Sequence, residues 1–312
     1  MDRREIGRRE FMRRAALAAG TAAAGLWLPA RAVANAGQEG ASAQIPLAKT
    51  GIRVSRLGMG TGMRGGGHQS NQTRLGLEAF AELVQHAFGR GITYFDAADT
   101  YGSHTFLRYA LKEIPRDKVT LSTKVEMGSR DGPQKDVERF LKELGTDYID
   151  VVVIHCVRRG DWDTRLADMM DALAEAKEKK LIRAVGVSCH SVDALQTAAR
   201  SPWVDFVLAR INHDGAKMDA KPEVVAPMLR QIHDAGKAVV GMKIAGEGRL
   251  VDQLDNSLRY VMALDCVDAM IIGFEKKTEV DDTINRMDKI AKSHQTGALS
   301  MAAVADRLPL PI

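Results

Sequence analysis

Eight short apolar runs, each followed by a stretch of helical periodicity, constrain what this chain can become more than any other feature. The runs lie at 56–60, 92–96, 119–124, 149–154, 183–187, 205–210, 238–242 and 269–273. Many are continuous rather than alternating in polarity, as parallel strands covered on both faces are. Between them, LEAFAELVQHAFGRG places Phe80, Leu83, Val84 and Ala87 on one helical face and stops at Gly89 and Gly91. VERFLKELG, LADMMDALAEAKEKK, PEVVAPMLRQIHDAG and NSLRYVMALD repeat the theme, and ALSMAAVADRL reads as a terminal helix. Ahead of the first run, IPLAKTGIRVSRLGMG reads as a hairpin around Lys49-Thr50-Gly51. Eight strand–helix units predict an α/β protein with one closed (β/α)8 TIM barrel as its single domain. The competing open doubly wound sheet lacks its fingerprint, because GMGTGMRGGG is not a GxGxxG that opens a helix.

Residues 1–36 read as an address rather than as fold. Arg8 and Arg9 precede an apolar run from Ala15 to Leu28, and Pro29 and two Ala-x-Ala sites, Ala32–Ala34 and Ala34–Ala36, follow. The run is shorter than the ~20 residues a spanning helix needs. RREFMR resembles the bacterial twin-arginine (Tat) signal, which implies export of the folded protein by the Tat machinery to the periplasm. The expected division is therefore a cleavable signal over 1–36 and a barrel over 37–312. The signal holds seven arginines against Asp2, Glu5 and Glu10, which accounts for the whole formal charge of +4. The remainder balances at zero, which argues against a nucleic-acid partner. Cys156, Cys189 and Cys266 are widely spaced without a CxxC pair, which argues against an iron–sulfur or zinc-ribbon site. Cys156, Cys189, His190 and His213 match no ligand spacing, and no metal is expected; a Cys156–Cys189 disulfide stays open as an alternative.

Chemistry in such a barrel gathers at the carboxyl ends of the strands. Those positions are Thr61, Asp96, Lys124, His155, Ser188 with Cys189, Asn212, Lys243 and Phe274, with Tyr101 just beyond Asp96. A lysine ending a central strand needs a partner carboxylate, because an unpaired buried charge is costly.

FDAADTYG, LSTK and IDVVVIH, carried in that order, resemble the aldo-keto reductase family, as do RFLKELGTDYIDVVVIH and KKLIRAVGVS. The resemblance covers roughly residues 45–285. It implies reversible hydride transfer between a nicotinamide cofactor and an aldehyde or ketone. Tyr101 would be the general acid, with Lys124 lowering its pKa and Asp96 holding Lys124. His155 would donate a hydrogen bond to the substrate oxygen. Asp99 is expected to face solvent or cap the following helix.

On the cofactor side, the resemblance assigns Gly60 and Thr61 to the first-strand contact and Ser188 to the carboxamide. Cys189 stands where the family has asparagine, with His190 as a stand-in. Leu208 and Ile211 replace the usual glutamine and stacking tyrosine, which leaves Phe274 as a candidate stacking face. Lys243, Gly246 and Gly248 would meet the pyrophosphate. Glu279 stands where an arginine clamps the 2′-phosphate, with Lys276 and Lys277 placed to compensate, while Asp282 and Thr283 match the adenine-side pair only loosely. NADPH (NADP) is thus expected over NADH, with NAD the alternative. The partners implied are a small carbonyl substrate and an unidentified redox partner that recycles the cofactor after export. The loop at 63–73 is either a substrate-side lid with His68 or a tolerant surface loop. A rival reading is a non-enzymatic cofactor-sensing or interaction subunit on the same barrel. A metal-dependent barrel hydrolase is argued against by the missing His-x-His pattern.

Overall fold

The computed structural model describes residues 40–305, with side chains described to residue 293. The signal read at 1–36 lies outside the described residues. A hairpin of β1 (Gln44–Pro46) and β2 (Arg53–Ser55) precedes the barrel. The barrel strands are β3 (Leu57–Gly60), β4 (Tyr94–Asp96), β5 (Thr120–Val125), β6 (Ile149–Val157), β7 (Ile182–Cys189), β8 (Phe206–Arg210), β9 (Ala238–Met242) and β10 (Ala269–Gly273). All pair in parallel, and β10 closes onto β3. The eight expected strands and the hairpin are therefore present.

The helices follow the strands in turn: α1 (Leu77–Gly89), α2 (His104–Leu111), α3 (Pro133–Leu144), α4 (Trp162–Arg165), α5 (Ala167–Glu178), α6 (Val192–Arg200), α7 (Pro222–Asp234), α8 (Leu254–Ala263) and α9 (Lys277–Ala305). The segment expected as a separate terminal helix continues α9 as far as Ala305, and the rest of it lies outside the described residues. Local chemistry marks the boundaries. Pro133 opens α3, where its missing N–H costs nothing, and Gly145 closes it in the left-handed conformation. Ser191 caps α6 by accepting from the amide of Ala194 at 3.0 Å. The other end of α6 is capped from outside the helix. Buried Lys237 donates to the carbonyls of Ala198, Ala199 and Ser201 at 2.6, 2.7 and 2.7 Å.

Side chains alternate between two apolar layers along each strand. The outer layer, packed under the helices, takes Met59, Phe95, Leu121, Val152, Ile154, Val187, Val207, Ala209, Val239 and Ile272. The inner layer fills the barrel with Tyr94, Val151, Val153, Ala184, Phe206, Leu208, Ala238, Val240, Ala269 and Ile271. Gly58 makes room for this filling, because a Cβ there would lie 2.6 Å from the Tyr94 ring. Leu47, Ile52 and Val54 of the hairpin join the same inner cluster. The hairpin reaches the starts of several strands: Gln44 Nε2 bonds Thr93 Oγ1 at 3.2 Å, the Arg53 carbonyl accepts from Thr120 at 2.8 Å, and the Gly51 carbonyl accepts from Arg183 at 3.2 Å. It plugs the amino-terminal floor of the barrel, leaving the carboxyl end for chemistry.

Candidate active site

The inner alternation that fills the barrel with apolar side chains delivers polar ones at its upper rim. Asp96 lies two residues past Tyr94, His155 two past Val153, and Arg210 two past Leu208. On β5, Ser122 and Lys124 share the inward side, and Glu126 continues it just past the strand. Asp96 and Lys124 are buried and paired. Lys124 Nζ donates to Asp96 Oδ1 at 2.7 Å, to Asp96 Oδ2 at 2.6 Å and to the Ala97 carbonyl at 2.6 Å. Ser122 Oγ adds a 2.7 Å contact to Asp96 Oδ1. The ammonium and the carboxylate thus satisfy each other, as buried charges must.

Tyr101 ends a single 3-10 turn, Asp99–Tyr101, that leaves β4. Its ring lies 5.1 Å from Lys124 Nζ, and its hydroxyl lies 3.4 Å from His155 Nε2 with the two rings at 83°. Asp96, Tyr101, Lys124 and His155 are therefore brought together. The expected lowering of the Tyr101 pKa is not what the structure gives. Burial pushes it well above the ordinary phenol value, and Asp96, Cys156 and Glu126 add to the rise. Lys124 spends its charge on Asp96, so the phenol keeps its proton at neutral pH.

Glu126 was not singled out in the sequence, yet its Oε1 hydrogen-bonds His155 Nδ1. Its signal was available as the next inward position after Lys124. His155 is buried and its pKa is raised: burial opposes the charge, but its interactions with Cys156 and with the accepting carboxylate of Glu126 outweigh it. Just past His155, β6 shifts register and Cys156 takes a left-handed φ of 56°. His155 thus keeps the inward direction set by Val153, and the bulge breaks the alternation only beyond it. His190, at the end of β7, lies between Arg210 Nη2 and Cys156 Sγ, the latter at 3.6 Å. Its pKa is lowered to about 3 by burial and by Arg210, so it is neutral. Arg210 is anchored in turn on Asp219 at 3.1 Å.

The loop at 63–73 is packed against the tyrosine. A Cβ on Gly62 would fall 2.2 Å from the Tyr101 ring, and one on Gly65 2.5 Å from it. Gly102, at φ 64°, leaves only enough room for the backbone of His68, whose carbonyl would meet an added Cβ at 2.0 Å. Gln72 ties the loop down through Gly60 O and Met63 N, at 3.2 and 3.0 Å. Asp99 neither faces solvent nor caps a helix; it holds Arg139 through two bonds of 2.7 and 2.8 Å. Asp99, His104 and Glu143 place three ligand-type atoms within 4.8 Å of one another. Arg139 already fills that role of counter-cation, 3.0 Å from Glu143.

The cofactor-side residues divide sharply. Ser188 is buried and its Oγ has no hydrogen-bond partner, which fits a hydroxyl waiting for a carboxamide. Lys243 stands at the end of β9 beside a loop in which Gly246, Glu247 and Gly248 are all left-handed. Gly248 has open space where a Cβ would be, which lets a phosphate group approach the backbone. Lys243 is not free, however: Glu247 accepts from it at 2.8 Å and also pairs with Lys217 at 3.1 Å. These two lysines hold the Glu247 pKa down to about 2.

Three expected contacts are corrected by the alternation of the strands. Cys189, Phe274 and the replaced stacking position Ile211 all lie in the outer apolar layer. None of them faces the rim. Burial raises the Cys189 thiol pKa strongly, and all three cysteines are free thiols. Gly60 is buried inside the barrel, where a Cβ would meet Ile271 at 2.8 Å. Thr61 Oγ1 is used within the protein, on the Asp96 carbonyl at 2.9 Å and Ser103 Oγ at 2.7 Å. At the last strand end, the Glu279 carboxylate caps α9 by accepting from the amides of Glu275 and Lys276 at 2.8 and 3.3 Å. Lys277 is paired with Glu82 at 2.8 Å, while Lys276 is exposed. Asp282 pairs with Arg286 at 2.7 Å and Thr283 is buried. His213 is held by Ser257 at 2.8 Å and Gln253 at 3.2 Å, apart from any cysteine. A cavity of about 330 Å³ between α2 and α3, lined by Leu107, Leu111, Leu121 and Leu144, opens on the outer wall and holds none of these groups.

Comparison with known proteins gives the same picture. Among curated relatives, Aldo-keto reductase YhdN of Bacillus subtilis is 32% identical over 171 residues, which is 48% of this chain and 48% of its own length. The NADH-specific methylglyoxal reductase of Escherichia coli is 28% identical over 190 residues, covering 54% of this chain and 58% of that protein. The chain thus spans about half the length of the curated relatives it matches. An aldo-keto reductase from Klebsiella pneumoniae, solved in complex with NADPH, shares the fold with a TM-score of 0.63 at 18% identity, over 78% of this chain and 89% of that one. The family model for the aldo/keto reductase family matches residues 56–305, from the first barrel strand into the last helix. With its barrel, its strand-end tetrad and that match, the chain belongs to the aldo/keto reductase family.

Proposed function

We propose that this protein is an oxidoreductase that reduces a small aldehyde or ketone with NADPH, accepting NADH less well, and that the reaction is reversible. One observation carries the reading: a buried Asp96–Lys124 pair sits under a tyrosine whose hydroxyl meets a histidine at 3.4 Å. When bound, the nicotinamide would supply the hydride. Ser188 would hold its carboxamide, and Lys243 with the Gly246–Gly248 loop would meet the pyrophosphate. Of the two exposed lysines beside the expected 2′-phosphate position, Lys277 is paired with Glu82, which leaves Lys276 as the candidate.

The remaining steps belong to this chain's own residues. Tyr101 is protonated at neutral pH and stands ready to give its proton to the oxygen on which charge develops. His155 Nε2 orients that oxygen and stabilises the developing charge. Asp96 fixes Lys124, and the buried pair anchors the segment that carries Tyr101, with Lys124 Nζ 5.1 Å from its ring. The packed loop at 62–65 holds the ring in position. Residues 1–36 are proposed as a twin-arginine signal that sends the folded protein to the periplasm. Cell fractionation of the full chain against an Arg8→Lys, Arg9→Lys variant checks that address.

The function is tested by titrating the purified chain with NADPH and with NADH, followed by nicotinamide fluorescence, and then by turnover of small carbonyls. Tyr101→Phe should abolish reduction and leave cofactor affinity nearly intact. Tight binding without turnover of any carbonyl would instead favour a cofactor-sensing subunit. Binding of neither nucleotide would overturn the proposal.

A further inference from the structure

The carboxylate on His155 bears on the reaction in a way that the tetrad alone does not. Ser122, Lys124 and Glu126 lie two residues apart on one side of β5 and its extension. The first two serve Asp96, and the third hydrogen-bonds His155 Nδ1. A carboxylate only accepts, so Nδ1 must carry a proton. That fixes what the other nitrogen can do. If His155 is neutral, Nε2 is a bare acceptor, and the Tyr101 hydroxyl 3.4 Å away points its proton at the histidine. If His155 is doubly protonated, Nε2 becomes a donor, and both groups can aim a proton at one substrate oxygen.

We propose that Glu126 is a positioning residue that keeps His155 as an imidazolium, and that carbonyl reduction depends on this charged form. The inference deepens the reductase reading and rests on it. The titratable and charged groups that face His155 are Tyr101 beyond β4, Lys124 and Glu126 on β5, Cys156 on its own strand and His190 after β7. Tyr101 is neutral because its pKa is raised, and His190 is neutral because its pKa is lowered. Lys124 opposes a second positive charge, but its ammonium is matched by Asp96. Cys156 and Glu126 favour the charge, and Glu126 alone of these two is a carboxylate with a direct bond to Nδ1.

The pH dependence has a definite sign. His155 has a raised pKa, so the imidazolium persists to higher pH than for a free histidine and is lost as pH rises through the folded value. Reduction should therefore fall on the alkaline side with the titration of His155.

The experiment follows the His155 ring by ¹⁵N NMR across pH in the purified full chain, for wild type, Glu126→Gln, Glu126→Asp and Cys156→Ser. The same proteins then give kcat/KM for carbonyl reduction across pH. Glu126→Gln should lower the His155 midpoint by about one pH unit or more and shift the alkaline limb of kcat/KM by the same amount. At a pH above both midpoints this is about tenfold in rate. Nucleotide affinity should stay unchanged. Glu126→Asp should restore part of the shift. An unmoved His155 midpoint in Glu126→Gln overturns the proposal, as does a midpoint that moves only in Cys156→Ser. The NMR arm needs no turnover. A shifted midpoint in a chain that reduces no carbonyl would therefore refute the reductase reading, whereas an unshifted midpoint in an active enzyme would refute the role of Glu126.

Discussion

Lys124 Nζ lies 5.1 Å from the centre of the Tyr101 ring, yet its three hydrogen bonds go to Asp96 and to the Ala97 carbonyl. The lysine's contacts hold the segment that carries the tyrosine, while its charge is matched by Asp96. Breaking a buried pair strands the remaining charge, at about 3–5 kcal/mol. Lys124→Met should lower unfolding stability by an amount in that range and reduce turnover at least a hundredfold. The double variant Asp96→Asn, Lys124→Met should regain part of the stability and none of the activity. Chemical denaturation and steady-state kinetics on the same preparations check both halves.

Glu247 occupies the cations that a pyrophosphate would need. Glu247→Gln should free Lys243 and Lys217, tighten NADPH binding severalfold and make that binding more sensitive to salt. Stability against pH gives a second check. The folded-state pKa of Glu247 is depressed to about 2, so its contribution is present above the unfolded carboxylate value and is lost as pH falls toward 2. The acid limb of the stability curve should flatten in the variant.

Lys237 caps α6 with three bonds and has no carboxylate among them. Lys237→Met keeps the stem and removes the donors, which leaves helix carbonyls without partners. The expected loss is about 1–3 kcal/mol of stability, with kcat unchanged because the residue precedes β9 at the floor of the barrel. Thermal unfolding and turnover, measured together, separate this from a catalytic effect.

Gly102 joins Tyr101 to the loop that packs on it. An alanine there must hold φ near 64° and also displace the His68 carbonyl. The backbone cost alone is about 1–2 kcal/mol. Gly102→Ala should depress kcat by tenfold or more, because the displaced loop no longer holds the Tyr101 ring. Gly67→Ala, at φ 58° with no neighbour within 4 Å of its Cβ, is the control for backbone strain without the clash.

Much of the architecture could be read from the sequence because its signals are local. Continuous apolar runs, helix stops at glycine and the Lys49-Thr50-Gly51 turn each report on a few residues, and together they dictate a barrel. The tetrad was legible for a related reason: each member stands at a strand end that the runs had already located. Cys189 and Phe274 were misassigned because being at a strand end does not say which way a side chain points. Counting by twos from Val153, Leu208 and Lys124 sends His155, Arg210 and Glu126 inward, and counting from Val187 and Ile272 sends Cys189 and Phe274 outward. The bulge at Cys156 breaks that count and has no clear local signature. The depressed pKa expected for Tyr101 failed for another reason. A charge near a phenol lowers its pKa only if the charge is unspent, and the Asp96–Lys124 bonds depend on the three-dimensional approach of β4 and β5.

In the hairpin at the bottom of the barrel, Leu47, Ile52 and Val54 close the floor beneath a core already filled by Tyr94, Phe206 and Leu208. Under the proposed function, whatever reaches Asp96 and Lys124 comes over the carboxyl-end rim, so changes in the hairpin should act on stability rather than on access.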